Sequence, residues 1–135
     1  MPITISATIN APVEKVWTYY TEPEHLMQWN FASDDWMCPS ATNDLRVGGT
    51  FSSRMEAKDG SFGFDFGGTY SEVIPNERIV YSMSDGRKVE LNFSEQDGVT
   101  TVETIFDAEK ENPEEMQREG WQAILNNFKK HVENN

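Results

Sequence analysis

The chain has 135 residues, 37% of them hydrophobic and 12% aromatic, and carries 11 Lys and Arg against 23 Asp and Glu for a net charge of −12. A length near the commonest domain size, with enough large rings to build a core, excludes a disordered chain. The acidic balance makes nucleic acid a poor partner and disfavours anionic membrane, since both are bound through basic surfaces.

Ile3, Ile5, Ala7 and Ile9 alternate with Thr4, Ser6 and Thr8, which predicts a half-buried strand. Asn10-Ala11-Pro12 ends it, and Val13, Val16, Trp17 and Tyr20 follow at helical spacing. A second short helix is expected from Glu22 to Trp29, with Leu26, Met27 and Trp29 on its apolar side. The segment from Asn30 to Asp44 has no clear period and reads as a lid or binding loop.

From Gly48-Gly49 onward the pattern is that of strands and turns. Phe51, Ser53, Met55 and Ala57 share one face of a strand, and Phe62, Phe64 and Phe66 begin the next. Gly67-Gly68 suggests a bulge or bend before Tyr70–Ile74. Pro75-Asn76 turns the chain into Ile79, Tyr81 and Met83; Val89, Leu91 and Phe93 follow, and Val99–Asp107 forms the last strand. The Asx-Gly pairs at 59-60, 85-86 and 97-98 lie between alternating runs and predict an antiparallel meander of about six strands.

Asn112 is placed as an N-cap, Pro113 as the first helical residue, and Glu114 and Glu115 suit the positive helix end. Met116, Trp121, Ile124, Leu125, Phe128 and Val132 make an apolar stripe, and Lys129, Lys130 and His131 suit the negative end. The predicted helix runs from Pro113 to Glu133, about 30 Å long at 1.5 Å per residue. It is the only element large enough to cover the apolar face of the sheet, and one helix does not fill a strongly bent sheet at both ends. A pocket lined by rings and thioethers is expected.

This order resembles the START-like helix-grip superfamily, also called the SRPBCC or birch-pollen-allergen-like fold. Within it the chain is similar to the branch named for the activator of heat-shock protein 90 ATPase. The resemblance spans the chain. It is carried by Ile9-Asn10-Ala11-Pro12-Val13-Glu14-Lys15-Val16-Trp17, Leu26 with Trp29, Asp44-Leu45-Arg46-Val47-Gly48-Gly49-Thr50-Phe51, and Gly68-Thr69-Tyr70. It continues in Pro75-Asn76-Glu77-Arg78-Ile79-Val80-Tyr81, Gly98 to Val102, and Gly120-Trp121-Gln122-Ala123-Ile124-Leu125. It implies an α+β helix-grip fold in one domain, residues 1–135, with a cavity between sheet and long helix. It also implies binding of lipids or polyketide- and flavonoid-like aromatics; some relatives on the fold are cyclases or hydrolases. The branch has no fixed catalytic motif to carry over.

Alternation and helical spacing nominate Trp29, Phe31, Phe51, Met55, Phe64, Phe66, Tyr81, Met83, Leu91, Trp121, Leu125 and Phe128 as the lining, with Tyr81 a source of one orienting hydrogen bond. Among chemistry-bearing groups, His131 reads as a surface residue at a helix end. His25 with Cys38 makes a conceivable base–nucleophile pair, and Asp34-Asp35 reads as a solvated loop. No zinc spacing or phosphate loop is present, so no metal or cofactor is expected. Cys38 stands alone, so no intrachain disulfide forms; there is no basic-then-apolar leader and no long apolar run, and a cytoplasmic location without membrane insertion is expected. The leading expectation is a binding protein for an apolar small molecule. The alternatives are an interaction module for a chaperone or stress-related protein partner, and a cyclase- or hydrolase-type enzyme; whether any reaction is catalysed is left open, leaning against.

Overall fold

The structure, a computed structural model, describes residues 2–135. Strand β1 (Pro2–Ile9) is followed by helices α1 (Val13–Thr21) and α2 (Pro23–Trp29). Strands β2 (Trp36–Asn43), β3 (Thr50–Ala57), β4 (Gly63–Ile74), β5 (Arg78–Ser82), β6 (Lys88–Gln96) and β7 (Val99–Asp107) come next, and α3 (Glu114–Glu133) ends the chain. The strands form one curved seven-stranded sheet in the order β1-β7-β6-β5-β4-β3-β2, every pair antiparallel. The architecture is the α+β helix grip.

Side-chain parity decides which face is buried. Ile3, Ile5, Ala7 and Ile9 of β1, Val89, Leu91 and Phe93 of β6, and Val102 and Phe106 of β7 turn to the covered side. The opposite face is polar. There Arg78 meets Glu72, Glu90 (3.0 Å) and Asn92 (3.0 Å), which accounts for the acids on the outer parity of β4 and β6. The turns follow their chemistry: Asp97 and Gly98 both have positive φ, 54° and 79°, the two-residue geometry whose twist suits a hairpin.

Helix α3 lies along β1, at one edge of the sheet. Arg118, Gln122 and Lys129 donate to the carbonyls of Thr4 (2.8 Å), Ser6 (3.1 Å) and Thr8 (2.6 Å). Those oxygens lack a strand partner, and capping them with helix side chains blunts an edge that would otherwise invite pairing with another chain.

Three expectations need correction. First, the segment read as a structureless lid contains the seventh strand. β2 is an edge strand interrupted by Pro39, and its register with β3 shifts between Met37 and Ser40. A proline without an N–H and the one-sided burial of an edge erase the alternation that would have marked it. Second, the irregularity of β4 lies between Tyr70 and Glu72, not at Gly67-Gly68. The glycines serve close approach instead. A Cβ at Gly67 would stand 2.4 Å from the Phe51 carbonyl oxygen, and one at Gly68 2.7 Å from that of Ser82. Third, Pro113 is itself the cap of α3 (φ −57°, ψ 143°). Asn112 is engaged elsewhere: its amide meets Glu109 and its carbonyl accepts from Gln117 Nε2 at 2.8 Å.

Candidate functional site

Between the concave face and the helices lies a cavity of about 310 Å³. The strands supply Ile5, Phe51, Ser53, Met55, Phe64, Phe66, Tyr70, Ile79, Tyr81, Leu91 and Thr104. The helices supply Tyr20, Thr21, Leu26, Trp29, Trp121, Ile124 and Leu125. Gly68, on the inward parity of β4, puts no side chain into this part of the concave face, and Ser53 puts only a small one, which leaves room for the cavity. The rings around it hold one another in place: Phe51 meets Tyr81 edge-on at 4.7 Å, and Trp121 stacks flat on Phe106 at 4.0 Å.

Of the nominated lining, Trp29, Phe51, Met55, Phe64, Phe66, Tyr81, Leu91, Trp121 and Leu125 surround this space, whereas Phe31, Met83 and Phe128 do not. Phe128 is fully buried one layer behind, its ring 5.0 Å from Tyr20 and 4.7 Å from Trp29. Met83 lies beyond the end of β5, where its N–H closes the turn on the Arg87 carbonyl at 2.8 Å, and Arg87 takes the lining position. Phe31 follows α2 into a shallow outer groove against α3, where Asn127 Nδ2 donates to the Trp29 carbonyl at 2.9 Å. Inward parity alone does not separate a residue that meets the cavity from one packed beside it.

Apart from Tyr81, sequence reasoning missed the polar part of the lining. Tyr70 shares parity with Phe64 and Phe66, and Tyr20 shares the helical stripe of Val16 and Trp17, so both were accessible to pattern. Asn43 carried no signal, because its role is tertiary. The Tyr70 hydroxyl donates to Asn43 Oδ1 at 2.6 Å, and Asn43 Nδ2 donates to the Thr21 carbonyl at 2.6 Å, tying β4 through β2 to the end of α1. Burial pushes the Tyr20, Tyr70 and Tyr81 hydroxyls upward in pKa, and each of the three is raised further by a neighbouring acidic group: Tyr70 beside Tyr20, Asp44 beside Tyr70, and both Tyr20 and Tyr70 beside Tyr81. All three therefore stay protonated in neutral solution and act as neutral hydrogen-bond groups.

The Cys38–His25 pair is not assembled. Cys38 is buried in β2 with its thiol 3.5 Å from the Ser40 carbonyl, and burial pushes its pKa up, against thiolate formation. His25 instead places Nδ1 3.1 Å from Nε2 of His131 and stacks on Tyr19 with ring centroids 3.9 Å apart. His131 thus joins a contact between α3 and the short helices as well as standing near a helix end. Asp34 and Asp35 are exposed, Asp35 accepting from Ser33.

Burial, then His25 of α2 and Lys15 of α1, lower the His131 pKa from its ordinary 6.5. The folded form thus resists a proton that the unfolded chain accepts, so stability is full above that value and falls as pH drops through the lowered one. Urea unfolding at about pH 7.5 and 5.5 is expected to show this loss, and His131→Gln to reduce it. An equal loss in the variant would place the effect in other groups.

The fold and cavity define a helix-grip protein of the SRPBCC type. The chain belongs to the family described as activator of Hsp90 ATPase homolog 1-like protein (AHSA1), which it matches over residues 10–133. It is similar to the AHSA1-like protein from Aeromonas hydrophila, solved by NMR, with 44% identity and a TM-score of 0.93 over 99% of this chain and 93% of that one. It is also similar to Chr148 from Cytophaga hutchinsonii, with 51% identity and a TM-score of 0.85 over 98% and 92% of the two chains. NE0264 from Nitrosomonas europaea, at 21% identity and a TM-score of 0.86 over 99% and 95%, shares the fold. No curated protein matches the chain at a significant level. No helix among the described residues is long and apolar enough to cross a membrane.

Proposed function

We propose that this protein binds an apolar, ring-containing small molecule in the cavity between its sheet and α3. The observation that carries this reading is the lining itself: a preformed space of about 310 Å³ walled by Trp29, Phe51, Phe66, Leu91, Trp121 and Leu125 with a few polar groups among them. That combination of apolar wall and sparse polar points is what small-molecule sites have in common. The volume lies at the low end of the ~300–1,000 Å³ typical of such sites, which suits a molecule of a few rings better than a two-chain lipid. Proteins of this fold commonly bind hydrophobic ligands, which supports the same reading.

An interaction module for a chaperone has one feature in its favour. Phe62 (61% exposed) and Phe64 (40%) stand with Trp36 around the start of β4, rings 6.0–6.1 Å apart. Phe64 also lines the cavity, so this cluster suits the mouth of a ligand site as well as a protein contact.

The test is an amide NMR titration with tetralin, a two-ring hydrocarbon. Shifts are expected to concentrate on the inward residues of β3–β5 and on Trp121–Leu125. No binding tighter than roughly 100 μM by tetralin or by a panel of two- and three-ring aromatics would overturn the proposal.

A further inference from the structure

The wall of the cavity has a polar pole, and its hydrogen-bond inventory is unbalanced. Tyr70 and Tyr81 face each other directly across β4 and β5, their rings edge-on at 6.4 Å. Tyr20 enters from α1, its ring held edge-on against Phe93 and Phe128. The Tyr70 proton is spent on Asn43. The hydroxyls of Tyr20 and Tyr81 have no hydrogen-bond partner among the described residues. No side-chain oxygen or nitrogen among those residues is both shut off from solvent and unpartnered. Since Tyr81 is only 6% exposed and Tyr20 is half-buried, and both line the cavity, the space that keeps their oxygens from being sealed is the cavity itself.

Two unpartnered phenol hydroxyls thus border a space whose remaining wall is mostly apolar. The charge around it leans negative. Arg87, the cation on the lining, holds Asp85 at 2.8 Å, and Glu109 adds a carboxylate to the rim. Arg87, Asp85 and Glu109 together carry no net positive charge, so an anionic guest would find only a cation already shared with Asp85, and a buried charge without a partner of its own is strongly disfavoured. A neutral oxygen acceptor on an apolar ring system would satisfy the phenols and bring no charge.

Building on the reading of the cavity as a ligand site, we infer that it selects an uncharged molecule of a few rings bearing a carbonyl oxygen, held by the Tyr81 and Tyr20 hydroxyls, over the hydrocarbon's carboxylate. Tyr20 and Tyr81 are then the residues that set specificity, and Tyr70 with Asn43 and Thr21 holds the pole in shape.

The experiment compares tetralin, α-tetralone (the same bicycle with a ketone) and tetralin carboxylate by amide NMR titration, in the wild type and in Tyr81→Phe, Tyr20→Phe and Tyr19→Phe. Neither Tyr20 nor Tyr81 loses an internal hydrogen bond on change to phenylalanine, so both variants should melt near the wild type. Each is expected to weaken α-tetralone about three- to tenfold and to leave tetralin unchanged. Tyr19→Phe, which alters a ring stacked on His25 outside the lining, should change neither. In the wild type the carboxylate should bind more weakly than the ketone. Ketone affinity indifferent to both cavity substitutions, or a carboxylate that binds more tightly than the ketone, overturns the inference while tetralin binding keeps the cavity reading intact. Failure of tetralin, the ketone and the panel of two- and three-ring aromatics to bind the wild type removes the cavity reading, and this inference with it.

Discussion

Replacement of Phe128 by alanine is expected to destabilise the fold by about 3–5 kcal/mol, the range for deleting a fully buried phenylalanine. The side chain is completely buried on the inner face of α3, and its ring is held between Tyr20 of α1 and Trp29 of α2. It is where the long helix is joined to both short ones. Its removal loses the transfer energy of the ring and leaves a void that three elements would have to move together to close. A domain has only about 5–15 kcal/mol to lose, so the melting temperature should drop by on the order of 10–20 °C. A denaturant series in which the midpoint moves and the slope does not would tie the loss to the native core. A change under about 1 kcal/mol would mean that α3 does not pack against α1 and α2 as described.

The second large effect concerns binding. Ile124→Trp puts a bulky ring into the cavity from α3 at a position that is only partly buried, so the added volume has the cavity to occupy and need not strain the sealed core. A ligand at roughly 100 times its Kd stabilises the folded protein by about 2.7 kcal/mol, on the order of 8 °C for a domain of this size. That ligand-induced rise in melting temperature should vanish in the variant, while the unliganded melting temperature stays close to the wild type. A variant that keeps the full rise would show that the ligand sits elsewhere. The two substitutions are four residues apart on one helix yet affect different properties, because residue 128 is sealed against the short helices and residue 124 lines the cavity.

What was legible in the sequence follows from short-range rules. The parity of Ile3 to Ile9, the Asx-Gly turns, and the stripe from Trp121 to Val132 each depend on residues a few positions apart. Each therefore declares its element without knowledge of the rest. The same rules failed at Trp36–Asn43, where an edge strand with Pro39 and one-sided burial has no period to read. They misjudged Gly67-Gly68, whose constraint comes from β3 and β5 on either side. They separated His25 from His131, which are distant in the chain but 3.1 Å apart in space.

The amino-acid sequence by itself determined the meander, the long C-terminal helix and the existence of an inward aromatic face, because alternation, turn chemistry and amphipathic spacing are local properties; the helix-grip class came from the family resemblance that the motifs carry. The tertiary structure alone decided where that face stays open, which inward rings meet the opening and which are sealed behind it, and how Tyr20, Tyr70, Tyr81 and Asn43 come to share one pole. Those outcomes depend on the curvature of seven paired strands and the seat of one helix across them, and no run of neighbouring residues encodes either.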